Sequence, residues 1–126
     1  MTDDEFKEQV IPGVIELFAS NDRSLRMQLL TNLAKFSDHL SSNLVSEKIY
    51  PSVSLGFSDA SPALREMTVK SMVQLVPKLN SKIVNDDVVR HLWRLQTDPE
   101  PGIRTNTTIA LGYLAAYFDE SVIIYF

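Results

Sequence analysis

A repeat with a period of 39 residues is the feature that most constrains how this sequence can fold. Shifting the chain against itself by that amount brings an apolar residue followed by arginine into register three times, at Leu25-Arg26, Leu64-Arg65 and Ile103-Arg104. Other apolar columns share the register, namely Leu33 with Met72 and Leu111, and Leu40 with Leu79 and Phe118. No copy can bury its apolar residues alone, so the copies must stack on one another.

Apolar residues within each copy recur at three- and four-residue spacing, which is typical of amphipathic helices. A period of about 40 residues with two helices per unit is the signature of HEAT repeats. The sequence therefore predicts an all-α fold, a right-handed α-solenoid of about three HEAT repeats built from antiparallel helix pairs. We assign the repeats to one domain, 1–126, over about 4–40, 43–79 and 85–118, with 119–126 as the start of a truncated fourth repeat.

We denote the two helices of each repeat A and B. The A helices are predicted over about 4–19, 43–57 and 86–96, and the B helices over about 23–39, 62–79 and 102–118. Ser61 is a plausible N-cap with Pro62 at the first helical position, and Pro77 should shorten the second B helix. Gly112 lies in mid-helix, where we expect it to permit close approach of a neighbouring helix.

The C-terminal residues 122–126, Val-Ile-Ile-Tyr-Phe, are all apolar. A solenoid usually ends in a repeat with a polar outer face. We therefore expect a piece of a longer solenoid, whose last residues fold back, fray or mediate self-association with a second copy.

Composition excludes several functional classes. The chain has no cysteine, which rules out disulfides, thiol catalysis and cysteine-based zinc sites. Its net charge of −4 argues against general affinity for nucleic acid or anionic membranes. No apolar run is long enough for a membrane span, and the acidic N-terminus does not resemble a signal peptide, so we expect a water-soluble intracellular protein without membrane insertion.

No catalytic, cofactor-binding or metal-binding constellation is present in the sequence. His39 and His91 are the only histidines, and neither has the spacing of a metal site or a nucleophile triad. The isolated glycines form no phosphate-binding loop. We predict a non-enzymatic protein without cofactors.

Two sets of residues recur at fixed repeat positions. The first is a structural ladder, in which carboxylates of the inter-helix turns accept hydrogen bonds from arginines that open the B helices. Its predicted members are Arg26, Asp59, Arg65, Asp98 and Arg104.

The second set is a mixed basic and aromatic band on one flank of the B helices. Such a band could engage an acidic peptide or a phosphate backbone, and the alternative is an ordinary solvated flank. The predicted partner-binding residues are Lys35, His39, Lys70, Gln74, Lys78, Asn106, Tyr113 and Tyr117.

The sequence also resembles one family more specifically than it resembles HEAT repeats in general. The segments Arg-Glu-Met-Thr-Val-Lys-Ser-Met at 65–72 and Ile-Arg-Thr-Asn-Thr-Thr at 103–108 are similar to the HEAT region of the SCY-like pseudokinases, also called N-terminal kinase-like proteins. The resemblance extends from about Val10 to Phe118.

That resemblance implies a role that the residues alone do not show. Members of the family combine a degenerate kinase-like domain with HEAT repeats and act as scaffolds in COPI-dependent traffic between Golgi and endoplasmic reticulum. The expected partners are coat or trafficking proteins, and the expected location is cytoplasmic, extending to the periphery of Golgi and ER–Golgi intermediate membranes. Yeast and plant relatives are linked to tRNA export, so tRNA binding is the alternative function.

Overall fold

The computed structural model describes residues 2–5 and 9–123 of the chain. Within these ranges there are ten α-helices and no strand, which confirms the predicted all-α class. The helices are α1 (Asp3–Glu5), α2 (Ile11–Phe18), α3 (Arg23–Thr31), α4 (Leu33–Phe36), α5 (Ser42–Leu44), α6 (Tyr50–Ser54), α7 (Pro62–Leu75), α8 (Val89–Leu95), α9 (Pro101–Leu114) and α10 (Glu120–Ile123). The expectation for the C-terminal residues falls largely on 124–126, which lie outside the described residues.

The A helices are composite, and each contains a π-helical stretch. π-helical residues occupy 9–10 in the first repeat, Val45–Ile49 in the second and Ile83–Val88 in the third. Each stretch ends two residues before the column that holds Pro12, Pro51 and Arg90. Arginine has the N–H that proline lacks, so the missing donor of proline does not by itself explain the π turn.

The third A helix begins earlier than the sequence predicted. It runs over 81–95, whereas the prediction began near Asp86. Asn80 precedes this helix, and its side-chain oxygen accepts a hydrogen bond from the N–H of Ile83 at 2.9 Å. This interaction satisfies one of the free donors of a helix start and explains the earlier beginning.

The B helices follow the predicted order with local departures. The first is interrupted at Asn32, whose backbone and side-chain nitrogens both donate to the carbonyl oxygen of Gln28, and such local bonding competes with regular helix. All three B helices end in a 3₁₀ turn, at Ser37–His39, Val76–Lys78 and Ala115–Tyr117. Pro77 lies within the second of these turns, as its effect on helix length predicts.

Ser61 stands at the N-cap position of α7, but its side chain makes no capping hydrogen bond. Instead the carboxylate of Asp59 accepts a hydrogen bond from the N–H of Ser61 at 2.8 Å. Pro62 occupies the first turn of the helix as expected, because its fixed φ suits that position. Ser61 therefore occupies the predicted N-cap position, although its side chain does not cap the helix.

Helix α7 lies at the centre of the domain, where it packs against α3 on one side and α9 on the other. The apolar columns of the repeat supply the core. Its fully or almost fully buried members include Leu33, Leu40, Leu64, Met72, Leu75, Leu92, Ile103 and Leu114. Every buried side-chain nitrogen and oxygen in the described residues has a hydrogen-bond partner, as a well-packed interior requires.

The close helix approach expected at Gly112 occurs instead at Gly56. Gly112 is exposed, and a Cβ added there would meet no described neighbour within 4 Å, so the predicted close approach at Gly112 was wrong. Gly56 is buried, and a Cβ there would collide with the side-chain oxygen of Thr68 on α7. The close approach of an A helix and a B helix therefore occurs in the second repeat.

Candidate functional site

An ion pair between the second and third repeats forms the centre of the arginine and aspartate ladder. Arg65, in the first turn of α7, donates from Nε to Oδ2 of Asp98 at 3.0 Å and from Nη2 to Oδ1 at 3.2 Å. The two side chains are only 15% and 5% exposed. This two-point geometry fixes the orientation of a guanidinium relative to a carboxylate, so the pair sets how the two repeats stack.

Arg65 and Arg104 also donate hydrogen bonds to the turn that precedes their own B helix. Nη1 of Arg65 donates to the carbonyl oxygen of Asp59 at 2.8 Å, and Nη1 of Arg104 donates to that of Asp98 at 2.7 Å. Asp98 in turn accepts the N–H of Glu100 at 3.0 Å. In the second and third repeats the ladder thus connects the turn to the B helix that follows it.

Ionisation of both turn carboxylates is favoured by their hydrogen bonds. Burial disfavours the charged form of Asp98, but the N–H of Glu100 and the guanidinium of Arg65 outweigh burial and hold its pKa below the ordinary value. For Asp59, burial is outweighed in the same way by the N–H of Ser61 and by Arg23, so its pKa is also lowered. Both groups are therefore carboxylates at neutral pH.

In the first repeat, the arginine that binds Asp59 is Arg23, whereas the repeat register predicted Arg26. Nε of Arg23 donates to Oδ2 of Asp59 at 2.8 Å, and the Arg23 side chain is 57% exposed. Arg26 instead directs Nη2 to the carbonyl oxygen of Ser52 at 3.4 Å and acts on Asp59 only through its charge. The sequence contained a signal for Arg23, since it lies in the same turn of α3, but the repeat register pointed away from it.

A second polar contact between repeats involves residues that the sequence did not single out. The hydroxyl of Tyr50 donates to Oδ2 of Asp87 at 2.6 Å, and the Phe57 ring stacks on the His91 ring at 4.7 Å between centroids. Burial and the hydrogen bond to Asp87 raise the pKa of Tyr50. Burial, together with the charges of nearby arginines, lowers the pKa of His91. These residues join the A helices of the second and third repeats.

The predicted partner-binding band lies on the three B helices, but its residues differ in accessibility. Five of them are exposed, and the other three are partly buried. The exposed ones are Lys35, His39, Lys70, Tyr113 and Tyr117, and the partly buried ones are Gln74, Lys78 and Asn106.

Lys78 and Asn106 make contacts between repeats. Nζ of Lys78 donates to the carbonyl oxygen of Leu40 at 2.8 Å, where the first B helix ends. Nδ2 of Asn106 donates to Oε1 of Glu66 on α7 at 2.6 Å. These two residues stabilise stacking, so a partner would contact chiefly the exposed members of the band.

Helix α9 carries the most exposed aromatic residue of the band. Tyr113 is 71% exposed, and Tyr117 and Ile109 on the same ridge are 48% and 52% exposed. Trp93 is 51% exposed on helix α8. The exposed apolar side chains of the third repeat thus occur on both its A and its B helix.

The described part of the chain shows no group of three or more His, Cys, Asp or Glu side chains placed to hold a metal ion. None of its described helices is both long and apolar enough to cross a membrane. The polar side chains at the contacts between repeats form hydrogen bonds with one another. The exposed face of the B helices therefore remains the candidate site.

Two relatives match almost the whole chain. It is 37% identical over 121 residues, 96% of its length, to the "Probable inactive serine/threonine-protein kinase scy1" of Dictyostelium discoideum. It is 30% identical over 109 residues, 86% of its length, to the "Protein kinase domain-containing protein ppk3" of Schizosaccharomyces pombe. The chain belongs to the SCY-like pseudokinase family. It spans only 15% and 17% of the lengths of these relatives.

A solved structure matches the fold of the chain. The crystal structure of Cex1p superimposes with a TM-score of 0.83 at 28% identity, covering 93% of this chain and 23% of that one. A mouse protein named "Protein-associating with the carboxyl-terminal domain of ezrin" is 30% identical over 79 residues, 63% of this chain and 11% of its own length. No family model matches the chain. The structural match confirms the predicted α-solenoid.

Proposed function

We propose that the chain is a non-catalytic HEAT-repeat scaffold of a SCY-like pseudokinase, which binds protein partners of COPI-linked traffic from Golgi to endoplasmic reticulum. The relationship to a protein named as an inactive kinase supports a role other than phosphoryl transfer. The location that suits this role is the cytoplasm, at the periphery of Golgi and ER–Golgi intermediate membranes. COPI traffic is the role that the family resemblance implies.

One structural observation supports the proposal above the others. The inter-repeat polar groups bind one another, whereas Lys35, Lys70 and Tyr113 lie exposed on consecutive B helices. Tyrosine is among the residues that most often anchor protein interfaces, and lysines near such an anchor supply charge complementarity to an acidic partner. Three stacked helices thus present a continuous surface that is suited to recognition and that stacking does not require.

The test is binding of purified coatomer, the COPI coat complex, to the immobilised 126-residue chain. We expect Lys70→Glu and Tyr113→Ala each to weaken binding about tenfold, since interface anchors contribute at least 1–2 kcal/mol. Matched controls lie on the second A helix, where Lys48→Glu reverses another exposed lysine and Leu55→Ala truncates an apolar side chain that is 68% exposed. Absence of coatomer binding by the unaltered chain would refute the trafficking role.

A second candidate function, tRNA binding, is favoured by the combination of lysines with exposed tyrosines on one face. Lysines contact phosphates, and aromatic rings stack on bases. The net charge of −4 and the engagement of Lys78 with Leu40 count against it. Binding to tRNA at 50 and 200 mM salt distinguishes the two, because phosphate-driven affinity falls steeply over that range, about an order of magnitude or more for several contacts.

A further inference from the structure

A ridge of bulky side chains runs along the exposed side of α9. Ile109 and Tyr113 are four residues apart in α9, so they lie on the same face of that helix, and Tyr117 follows in the 3₁₀ turn Ala115–Tyr117. Each is about half exposed or more, at 52%, 71% and 48%. Tyrosine combines a large apolar ring with a polar tip and is common where proteins meet. The third repeat therefore offers a ready apolar anchor site.

The same three columns carry a different chemistry in the preceding repeats. On the second B helix they hold Lys70, Gln74 and Lys78, and on the first they hold Thr31, Lys35 and His39. None of these nine positions is a carboxylate, although the chain contains 16 Asp and Glu residues. Two acids lie beside these positions: Asp38 is exposed in the adjoining column with Pro77 and Ala116, and Glu66, one turn before Lys70, is partly buried and accepts a hydrogen bond from Asn106 at 2.6 Å. The face thus changes from basic to aromatic along the solenoid in an otherwise acidic chain.

The charge of this face fits an acidic ligand, and its aromatic end fits an apolar anchor. Complementary charge steers a partner and fixes its register, while a buried apolar group supplies most of the affinity. Ile109 has no aromatic face for base stacking, and one of the three lysines in the columns, Lys78, already binds the carbonyl oxygen of Leu40. A peptide therefore fits the surface better than a nucleic acid does.

The spacing of the helices sets the spacing of the ligand. Helix α7 packs against both α9 and α3, and packed helix axes lie about 8–10 Å apart. An extended chain advances about 3.3–3.6 Å per residue. A peptide that crosses the B helices from α9 meets Lys70, on α7, after about three residues and Lys35, on α4, after about five.

We propose that this face binds an extended acidic segment of a partner protein, in which a bulky apolar anchor is separated from carboxylates by about three and about five residues. The anchor rests on the ridge of Ile109, Tyr113 and Tyr117, and the carboxylates face Lys70 and Lys35. The inference rests on the proposed scaffold function and specifies the chemistry of the partner.

Fluorescence anisotropy with short synthetic peptides tests the proposal on the 126-residue chain. The probe carries a pair of leucines followed by glutamates at the two predicted spacings. One control peptide replaces the glutamates by glutamines, and another moves them next to the leucines. We expect each control peptide to bind at least about tenfold more weakly, in keeping with several lost charge contacts and a lost register.

Variants locate the binding site. Lys70→Glu and Tyr113→Ala should each weaken the probe about tenfold, whereas Lys48→Glu and Leu55→Ala on the second A helix should leave binding unchanged. Equal binding of the glutamine peptide, or equal loss in the A-helix controls, would overturn the proposal. So would tighter binding of an oligouridylate RNA that displaces the probe.

The peptide-binding test and the coatomer-binding test can fail independently of each other. If coatomer binds the chain but the glutamate probe does not, the acidic-peptide proposal fails and the scaffold function stands. If the probe binds with the predicted spacing but coatomer does not, the face recognises acidic segments and the trafficking role fails.

Discussion

Truncation of Asp98 should be among the more costly single changes in the chain. Its carboxylate is 5% exposed and binds Arg65 at two points, while it also accepts the N–H of Glu100 at 3.0 Å. Asp98→Ala removes the counter-charge of a guanidinium that is itself only 15% exposed. Breaking a buried pair in this way costs about 3–5 kcal/mol. Because Arg65 keeps its bond to the carbonyl oxygen of Asp59, we expect the lower end, about 3 kcal/mol.

The equivalent change in the preceding turn provides an internal comparison. Asp59 pairs with Arg23, which is 57% exposed, and exposed pairs contribute about 0–1 kcal/mol. The loss of an acceptor for the N–H of Ser61 adds about 1 kcal/mol. We therefore expect Asp59→Ala to cost about 1–2 kcal/mol, clearly less than Asp98→Ala.

Urea unfolding of the two variants and the unaltered chain measures this difference, provided that the m value stays constant. Glu47→Ala, at an exposed carboxylate of the second A helix, is the surface control. A double-mutant cycle of Asp98→Ala with Arg65→Met isolates the coupling between the pair. A loss below about 1 kcal/mol for Asp98→Ala, or equal losses at both aspartates, would refute the reasoning from burial and two-point geometry.

Three further predictions follow from the same contacts. Gly56→Ala should destabilise the fold by about 1–3 kcal/mol, because the added methyl group collides with Thr68. Gly112→Ala should stabilise the fold by up to about 1 kcal/mol, because the site is open and alanine favours a helix. Thermal unfolding of the two variants measures both effects. The pKa of Asp98 is lower in the folded state than its unfolded value of 3.8. The contribution of Asp98 to folding stability is therefore complete above pH 3.8, and it is lost as the pH falls through the pKa of the folded state. The stability gap between the unaltered chain and Asp98→Ala should therefore close on acidification; a gap that widened would contradict this. Lys78→Met should cost about 1 kcal/mol in urea unfolding, since the carbonyl oxygen of Leu40 loses its donor, and no change would show that water replaces it.

The sequence by itself determined the class of fold and its repeat. Apolar spacing and the 39-residue register depend only on the order of residues. Apolar residues at helical spacing form one face of the helix, and that face packs into the core. The register also placed Arg65 and Asp98 in adjacent repeats, where a guanidinium can reach a carboxylate. The family was also recognisable, because the segments 65–72 and 103–108 resemble its HEAT region more specifically than the apolar columns do.

Only the tertiary structure decided which side chains meet. Whether Arg23 or Arg26 reaches Asp59 depends on the offset between stacked helices. The close approach at Gly56 rather than Gly112 depends on which helix surfaces face each other. Lys78 and Asn106 looked like surface residues, but packing brought acceptors of other repeats within hydrogen-bond distance. Sequence periodicity fixes a residue's angular position on its helix, whereas contacts between helices depend on a geometry that all the side chains set together.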